Sequence, residues 1–145
     1  MAPIDPDTEL IRALRARGAR VTLARLLVHR QVRAAGGHVT AEAVQAALPT
    51  LSPATVYASL DLLVDLGFAR RLSTPAGIAV YDPRTQPHHH MICRSCGRIA
   101  DLDAAVDASA AERAASDAGF SVEHGELQLS GLCAVCAAAL SAPRT

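Results

Sequence analysis

The chain has 145 residues; half are hydrophobic but only 3% are aromatic, so its core must be built mainly from alanine, leucine and valine. No apolar run reaches the roughly 18–20 residues of a membrane span, and the acidic start MAPIDPDTEL lacks the layout of a signal peptide. These features predict a cytoplasmic protein with no membrane partner. Four cysteines in that compartment are expected to be metal ligands or redox groups rather than structural disulfides.

Charge is distributed unevenly, although the formal total is zero. Residues 1–71 hold nine arginines and six acidic residues, a net charge of +3, whereas residues 72–145 hold five and eight, a net charge of −3. A basic first half favours a nucleic-acid-binding lobe joined to a second domain. Ordinary scatter of so few charges is the alternative.

Start and stop signals predict four helices in the first half. They cover residues 7–17, 23–35, 41–50 and 53–67. Two strand-like runs follow at 68–73 and 78–82. This order is typical of a winged helix-turn-helix, in which the fourth helix enters the major groove and Thr55, Tyr57 and Ser59 face DNA. A plain helical lobe with a half-buried Tyr57 is the alternative.

The segment PRTQP, residues 83–87, is bracketed by prolines and predicts a hinge. The pattern beyond it predicts strands over 88–93, 98–102, 120–122 and 127–129, and helices over 104–118 and 133–140. The first two strands would pair around the turn that carries Cys93 and Cys96. The sequence therefore predicts an α+β fold, with a winged-helix domain over 1–82, the hinge, and a small α/β domain over 88–145.

Two CxxC pairs lie in the second domain, Cys93 with Cys96 and Cys133 with Cys136. Each pair brings two sulfurs to one ion from a tight turn, so two pairs complete a tetrahedral Zn²⁺ site. The 36 residues between the pairs exceed the usual zinc-ribbon spacing, but an intervening helix and hairpin account for them. The pattern predicts a structural zinc; a thiol redox switch and unligated thiols are the alternatives.

Three consecutive histidines precede the first CxxC pair. On a strand, His88 and His90 point to the same side and His89 to the other. Further nitrogen and oxygen ligands are available from His38, Asp82 and Asp101. Such a set suits Fe²⁺, Mn²⁺ or Zn²⁺. Because its members come from both sides of the hinge, a bound ion would fix the two lobes and link metal concentration to DNA-binding geometry.

Each of these ligands also has an ordinary structural interpretation. Taken alone, His38 is more often a histidine at a helix start than a ligand, Asp82 a turn former and Asp101 a solvated strand residue. A zinc hydrolase centred on the histidines would need an open coordination position and a general base, and no HExxH-like pair is present. The sequence therefore predicts that the protein is not an enzyme. A dithiol redox module is a further alternative, which retention of stoichiometric zinc would contradict.

Five segments resemble the ferric uptake regulator (Fur) family. They are GARVTLAR (18–25), HVTAEAV (38–44), LSPATVYASLDLLVDLGFARR (51–71), HHHMICRSCGRIADLD (88–103) and GLCAVC (131–136). They follow the family's order over nearly the whole chain, and their combination is specific although no single segment is. The resemblance implies a winged-helix domain, an α/β dimerisation domain, a homodimer, and metal-dependent repression at double-stranded operator DNA.

The resemblance also assigns residues to roles. It implies structural zinc on Cys93, Cys96, Cys133 and Cys136. It implies a regulatory Fe²⁺ or Mn²⁺ site, or a Zn²⁺ site, on His38, Asp82, His88, His90 and Asp101. Candidate DNA contacts are Arg20, Thr55, Tyr57 and Ser59.

Aspartate at positions 82 and 101 is typical of the family's peroxide-sensing branch, whereas iron-sensing members often have glutamate there. The segment 88–103 also resembles an actinobacterial subgroup linked to peroxide. This branch implies that bound Fe²⁺ reacts with H2O2, that the oxidant attacks His38 or His88, and that loss of the metal releases the operator. The expectation is a peroxide-sensing repressor of oxidative-stress genes; the alternative is a sensor of iron, zinc or manganese levels that is insensitive to peroxide.

The chain departs from the family pattern in two respects. Ala24 and Ala58 replace a common glutamine and a common arginine, and the lost arginine removes a phosphate or base contact. Pro87, Ala108 and Gly125 stand where an additional nitrogen and oxygen site would need ligands. The sequence therefore predicts that this additional site is absent.

Overall fold

A computed structural model describes residues 5–141 of the chain. Within this range the chain forms two compact units, of which the first ends at Thr85 and the second begins at Gln86. This boundary lies inside the proline-bracketed segment 83–87. That the segment acts as a hinge stays a prediction.

Four helices form most of the first unit. Their bounds are Pro6–Ala16 (α1), Leu23–Ala34 (α2), Ala41–Ala47 (α3) and Pro53–Asp65 (α4). Each begins after a residue whose side chain accepts a hydrogen bond from a backbone N–H of the first turn, namely Asp5, Thr22, Thr40 and Ser52. Such caps satisfy N–H groups that have no partner within the helix. The four predicted helices are confirmed, although α3 ends early because Leu48 precedes a proline and leaves the helical conformation.

A three-stranded antiparallel sheet completes the first unit. Its strands are Val39–Thr40 (β1), Arg70–Ser73 (β2) and Ala79–Asp82 (β3), in the order β1-β3-β2. Sequence patterning did not reveal β1, because two residues are too short for an alternating signal. Apolar side chains of the helices and the fully buried Tyr81 form the core. Helices followed by a β2–β3 wing confirm the predicted winged-helix architecture.

The second unit is a smaller α/β assembly. Its elements are His89–Cys93 (β4), Ile99–Leu102 (β5), Ser109–Asp117 (α5), Gln128–Gly131 (β6) and Ala134–Ser141 (α6). The sheet order is β5-β4-β6, with β4 and β5 antiparallel around the cysteine turn, as predicted, and β4 and β6 parallel. The α+β class is therefore confirmed in both units.

Two boundaries in the second unit differ from the prediction. The expected strand 120–122 is absent, because the backbone N–H of Phe120 instead donates to Ala115 O and closes the end of α5. Gly119, at φ 88°, supplies the left-handed turn that this closure needs. Helix α5 also begins five residues later than expected, where Asp107 accepts a hydrogen bond from the Ser109 N–H.

The two faces of the β4 sheet differ in character. His90 and Ile92 are buried on one face, and Asp101 lies opposite His90 in the pairing of β4 with β5. Met91 lies on the other face, 40% exposed, beside the 46% exposed Leu129 of β6. Alternation along the strand thus places metal-binding groups on one face and an uncovered apolar surface on the other.

Between residues 5 and 141, no helix has both the length and the apolar character needed to cross a bilayer.

A buried histidine joins α1, α2 and the start of the wing. His29 is 1% exposed and packs edge-to-face against Phe68, with ring centroids 5.4 Å apart. Its Nδ1 lies 3.8 Å from Asp7, whose carboxylate also accepts a 2.7 Å hydrogen bond from Arg30 Nε. Burial lowers the pKa of His29, with a further lowering from the positive charge of Arg33, and Asp7 offsets part of this effect.

Acid should therefore destabilise the first unit through His29. Because its pKa in the folded state is below the ordinary histidine value of 6.5, unfolded chains bind more protons below that pH, and the free energy of unfolding falls as pH decreases. Above it the group is neutral in both states and contributes no pH dependence. We expect His29→Leu to remove this pH dependence of the free energy of unfolding, as measured by urea unfolding between about pH 7.5 and 5.5. His124→Gln, at an exposed histidine, is the control. If the free energy of unfolding of His29→Leu changes with pH as steeply as that of the wild type, His29 is not the cause of the acid destabilisation.

Candidate functional site

The four cysteines converge in the second unit. Cys93 ends β4, Cys96 lies in the following turn, and Cys133 and Cys136 lie just before and within the first turn of α6. Their sulfur atoms all lie within 4.8 Å of one another, and those of Cys96 and Cys133 are 3.8 Å apart. A tetrahedron with zinc–sulfur distances of about 2.3 Å has sulfurs about 3.8 Å apart. The donor set and its spacing therefore fit structural zinc.

Backbone groups favour the thiolate form of Cys93 and Cys133, whereas at Cys136 a hydrogen bond from Ser95 is outweighed by the neighbouring thiols, which raise the pKa of Cys136 to about 12. The Cys133 N–H lies 3.4 Å from Cys93 Sγ, and this contact together with the Cys96 N–H lowers the pKa of Cys93 to about 6. The Cys136 N–H likewise lowers the pKa of Cys133. Thiolates are the form that binds metal. All four cysteines are free thiols, and it is the convergence of their sulfur atoms that favours the zinc interpretation.

Replacing any one of these cysteines should release the metal. We expect Cys136→Ser to lower zinc from about one ion per chain to near zero and to lower the Tm of the second unit, because a structural site contributes its binding free energy to folding. Elemental analysis and thermal unfolding would measure both effects. Ser121→Ala, at an exposed serine elsewhere in the second unit, is the control and should keep its zinc. Full zinc in Cys136→Ser would contradict the four-cysteine site.

The first unit contains one predicted pair of nitrogen and oxygen ligands. His38 lies directly before β1 and Asp82 ends β3, and the pairing of Val39 with Tyr81 brings them together. His38 Nε2 is 3.4 Å from Asp82 Oδ2, and their side chains are 9% and 2% exposed. The Arg84 N–H donates to the other carboxylate oxygen of Asp82 at 2.8 Å. A hydrogen bond of this kind orients the carboxylate so that its other oxygen can bind a metal.

The second unit brings together the other three predicted ligands. His88 Nε2 lies 3.3 Å from Asp101 Oδ1, and the His88 and His90 rings are 4.3 Å apart. His88 Nδ1 donates to the Gln86 carbonyl at 2.8 Å, since a carbonyl can only accept. That bond leaves the lone pair of His88 on Nε2, the atom that faces Asp101.

Each of these two clusters has a donor set suited to Fe²⁺, Mn²⁺ or Zn²⁺. The cluster of the first unit offers one imidazole and one carboxylate, and the cluster of the second unit offers two imidazoles and one carboxylate. His89 belongs to neither cluster, because its Nδ1 accepts a 3.0 Å hydrogen bond from the Leu127 N–H on the opposite face of the sheet. This position agrees with the alternation predicted for the three histidines.

The predicted DNA contacts of α4 are not equally exposed. Tyr57 is 43% exposed, and its hydroxyl donates to Glu42 Oε1 at 2.8 Å. Ser59 is only 4% exposed, and its hydroxyl donates to the Thr55 carbonyl at 2.7 Å. Ser59 also lines a groove together with Arg20 and Thr55, so its role as a DNA contact stays a prediction. Helical spacing already indicated that Ser59 is buried, because it follows the buried Val56 by three positions.

An open groove of about 500 Å³ lies where the start of α2 meets the start of α4. The exposed Arg20 and the half-buried Thr55 line it, as predicted for DNA contacts, together with Arg25. Sequence reasoning missed Arg25, whose guanidinium donates to the Arg20 carbonyl, and Glu42, which holds Tyr57. Arg25 was detectable as a basic residue in a helix's first turn; the Glu42 contact was not.

Comparison with known proteins gives consistent matches. A model of the ferric uptake regulator family matches residues 16–130. Ferric uptake regulation protein 1 of Mycolicibacterium fortuitum is 40% identical over 119 residues, which cover 79% of this chain and 73% of that protein. The peroxide-responsive repressor PerR of Staphylococcus epidermidis is 30% identical over 132 residues, 88% of each chain. The crystal structure of the Vibrio cholerae ferric uptake regulator superposes with a TM-score of 0.70 at 27% identity, covering 84% and 98% of the two chains.

Proposed function

Because the chain belongs to the ferric uptake regulator family of metal-responsive transcriptional regulators, we propose that it is a homodimeric repressor that binds operator DNA when metal-loaded and releases it after peroxide oxidation. The observation that carries the proposal is the presence of a histidine–aspartate cluster in the winged-helix unit and another in the second unit. A metal-regulated DNA-binding protein needs ligands that respond to the ion and are connected to the DNA-binding fold.

We propose that the two clusters serve one regulatory ion. Neither alone supplies the roughly six ligand positions that Fe²⁺ and Mn²⁺ favour, whereas His38, Asp82, His88, His90 and Asp101 together supply most of them. An ion held by both units would restrict their relative orientation. The binding free energy would then favour the orientation that fits DNA.

The peroxide response rests on the chemistry of the same donors. Fe²⁺, if bound, would supply the first electron that cleaves the O–O bond of H2O2 and would regain it as the imidazole is oxidised, which Mn²⁺ and Zn²⁺ do not do readily. One peroxide oxygen adds to the imidazole carbon of His38 or His88, which loses two electrons overall, and the other leaves as water. The oxidised ring donates less well to metal. Aspartates at both carboxylate positions and the 30% identity to a peroxide-responsive repressor support this branch.

The winged-helix unit supplies the DNA-binding surface. Helix α4 is capped by Ser52 and presents Tyr57 to solvent, and the groove beside it is lined by Arg20. A capped recognition helix beside a basic groove suits the major groove and its flanking phosphates. Arg20, Thr55, Tyr57 and Ser59 are the proposed contacts, of which Ser59 is the least exposed.

The second unit supplies the surface for a second copy of the chain. Met91, Leu127 and Leu129 are between 37% and 46% exposed on one face of its sheet, and Val135 and Leu140 of α6 are about 70% exposed. Apolar exposure on this scale marks an interaction surface. A homodimer would cover it by placing the same face of two copies together.

The dimer is tested by placing a charge on this face. We expect Leu129→Glu to convert the dimer into a monomer in light scattering, because the carboxylate would be buried without a partner. Ile78→Glu, at a 51% exposed apolar residue of the wing, is the matched control and should leave the mass unchanged. A dimeric Leu129→Glu protein that keeps its fold would exclude this face from the interface.

The peroxide response is tested by mass spectrometry of peptides from Fe²⁺-loaded full-length protein after brief exposure to dilute H2O2. We expect one added oxygen atom on His38 or His88 and none in Mn²⁺-loaded protein, because only iron supplies the electrons. If both samples remain unmodified while elemental analysis shows a filled site, the protein is instead a sensor of metal level.

A variant of one unit tests whether the two clusters share the ion. Asp101→Asn alters only the cluster of the second unit, yet a shared site predicts that it also abolishes oxidation of His38 in the first unit. His89→Gln, between the two ligand histidines, should leave oxidation intact. Persistent oxidation of His38 in Asp101→Asn would show that the units bind iron separately.

A further inference from the structure

The exposed side of α4 has an unusual composition for a helix that reads DNA. The helix contains no arginine, lysine, asparagine or glutamine. Its solvent-exposed positions within the first two turns are Pro53, Ala54, Tyr57 and Ala58. Guanine is read mainly by arginine or lysine and adenine by asparagine or glutamine, so α4 lacks the side chains of both common bidentate contacts.

The polar atoms that α4 does carry are engaged within the protein. The Tyr57 hydroxyl donates its proton to Glu42, and the Ser59 hydroxyl donates to the Thr55 carbonyl. The Thr55 hydroxyl lies 2.8 Å from that of the capping Ser52. Beside the rings of Pro53 and Tyr57, the exposed groups on the leading turns of the helix are therefore the methyl groups of Ala54 and Ala58.

The two carboxylates of α4 also lie outside the turns of the helix that would contact bases. Asp61 lies 3.8 Å from the Arg71 guanidinium, and Asp65 lies 3.6 Å from that of Arg17. Both belong to the later turns, whereas base contacts in helix-turn-helix proteins come mainly from the N-terminal residues of the reading helix. Cytosine recognition by a carboxylate is therefore not favoured either.

From this geometry we infer that Ala54 and Ala58 select the operator by apolar contact with thymine C5-methyl groups in the major groove. This inference rests on the proposed function as a DNA-binding repressor. Alanine is one of the side chains whose methyl group suits the thymine methyl. Ala54 and Ala58 are four positions apart and so share one side of the helix, separated by about one turn of 5.4–6 Å. That distance spans one to two base-pair steps, so the contacted thymines lie close together.

The test begins with selection of binding sites from a random duplex pool by full-length Mn²⁺-loaded protein. Each thymine of the selected site is then replaced by deoxyuridine, which removes only the C5-methyl group. We expect a cluster of neighbouring thymines in each half-site at which the change weakens binding about fourfold, the size of burying one methyl-sized group. Deoxyuridine elsewhere in the site should have no effect.

Variants of the alanines test whether they cause the loss of binding on replacing thymine by deoxyuridine. In Ala58→Gly the penalty for deoxyuridine should vanish at the thymine that Ala58 contacts and persist at the others. Ala46→Gly, at an exposed alanine of α3, should leave every penalty unchanged. Ala58→Arg should select sites with guanine at the same position, because arginine reads guanine.

The possible failures are distinguishable. If no sequence is enriched, the proposed DNA-binding function fails and the inference with it. If a site is enriched but deoxyuridine is tolerated at every thymine, the protein binds DNA and the inference about Ala54 and Ala58 is overturned. The same holds if the penalties are identical in wild type and Ala58→Gly.

Discussion

Antiparallel pairing of β4 with β5 is the constraint on which both metal sites of the second unit depend. The turn that joins the strands presents Cys93 and Cys96, and the same register sets His90 opposite Asp101. Cysteine and histidine ligands are therefore held by one short hairpin. A zinc ion that fixes the turn would also fix the strand from which the histidines project, so loss of zinc is expected to disorder the regulatory ligands as well.

Parallel pairing of β6 with β4 extends this arrangement to the second CxxC. It brings Gly131 beside Cys93, and the chain then reaches Cys133 within two residues. The Arg94 N–H donates to the Gly131 carbonyl at 2.8 Å and the Cys133 N–H approaches Cys93 Sγ. Few side chains of this unit are buried, so the hydrogen bonds of the sheet and a zinc ion on the four cysteines are expected to supply much of its stability.

The first unit is stabilised in a different way, by an apolar core under four capped helices. Polar groups near its surface mostly bond to one another, as Tyr57 does with Glu42 and Asp7 with Arg30. These bonds orient the outer surface of α4 and tie α1 to α2. They also leave the recognition helix with methyl groups where other helices would carry guanidinium or amide groups, which shifts the expected basis of base selection from hydrogen bonding to shape.

The sequence alone predicted the four helices of the first unit, the CxxC turns and the family, because these depend on residues close together in the chain. Tertiary structure decided the rest. The contact of His38 with Asp82 follows from the pairing of β1 with β3, which no local pattern reveals. Ser59 is buried because α4 packs against α2, and the expected strand after Gly119 is replaced by the closure of α5. Long-range pairing and packing set these features, and they override local propensity wherever a backbone or side-chain group finds a better partner elsewhere in the fold.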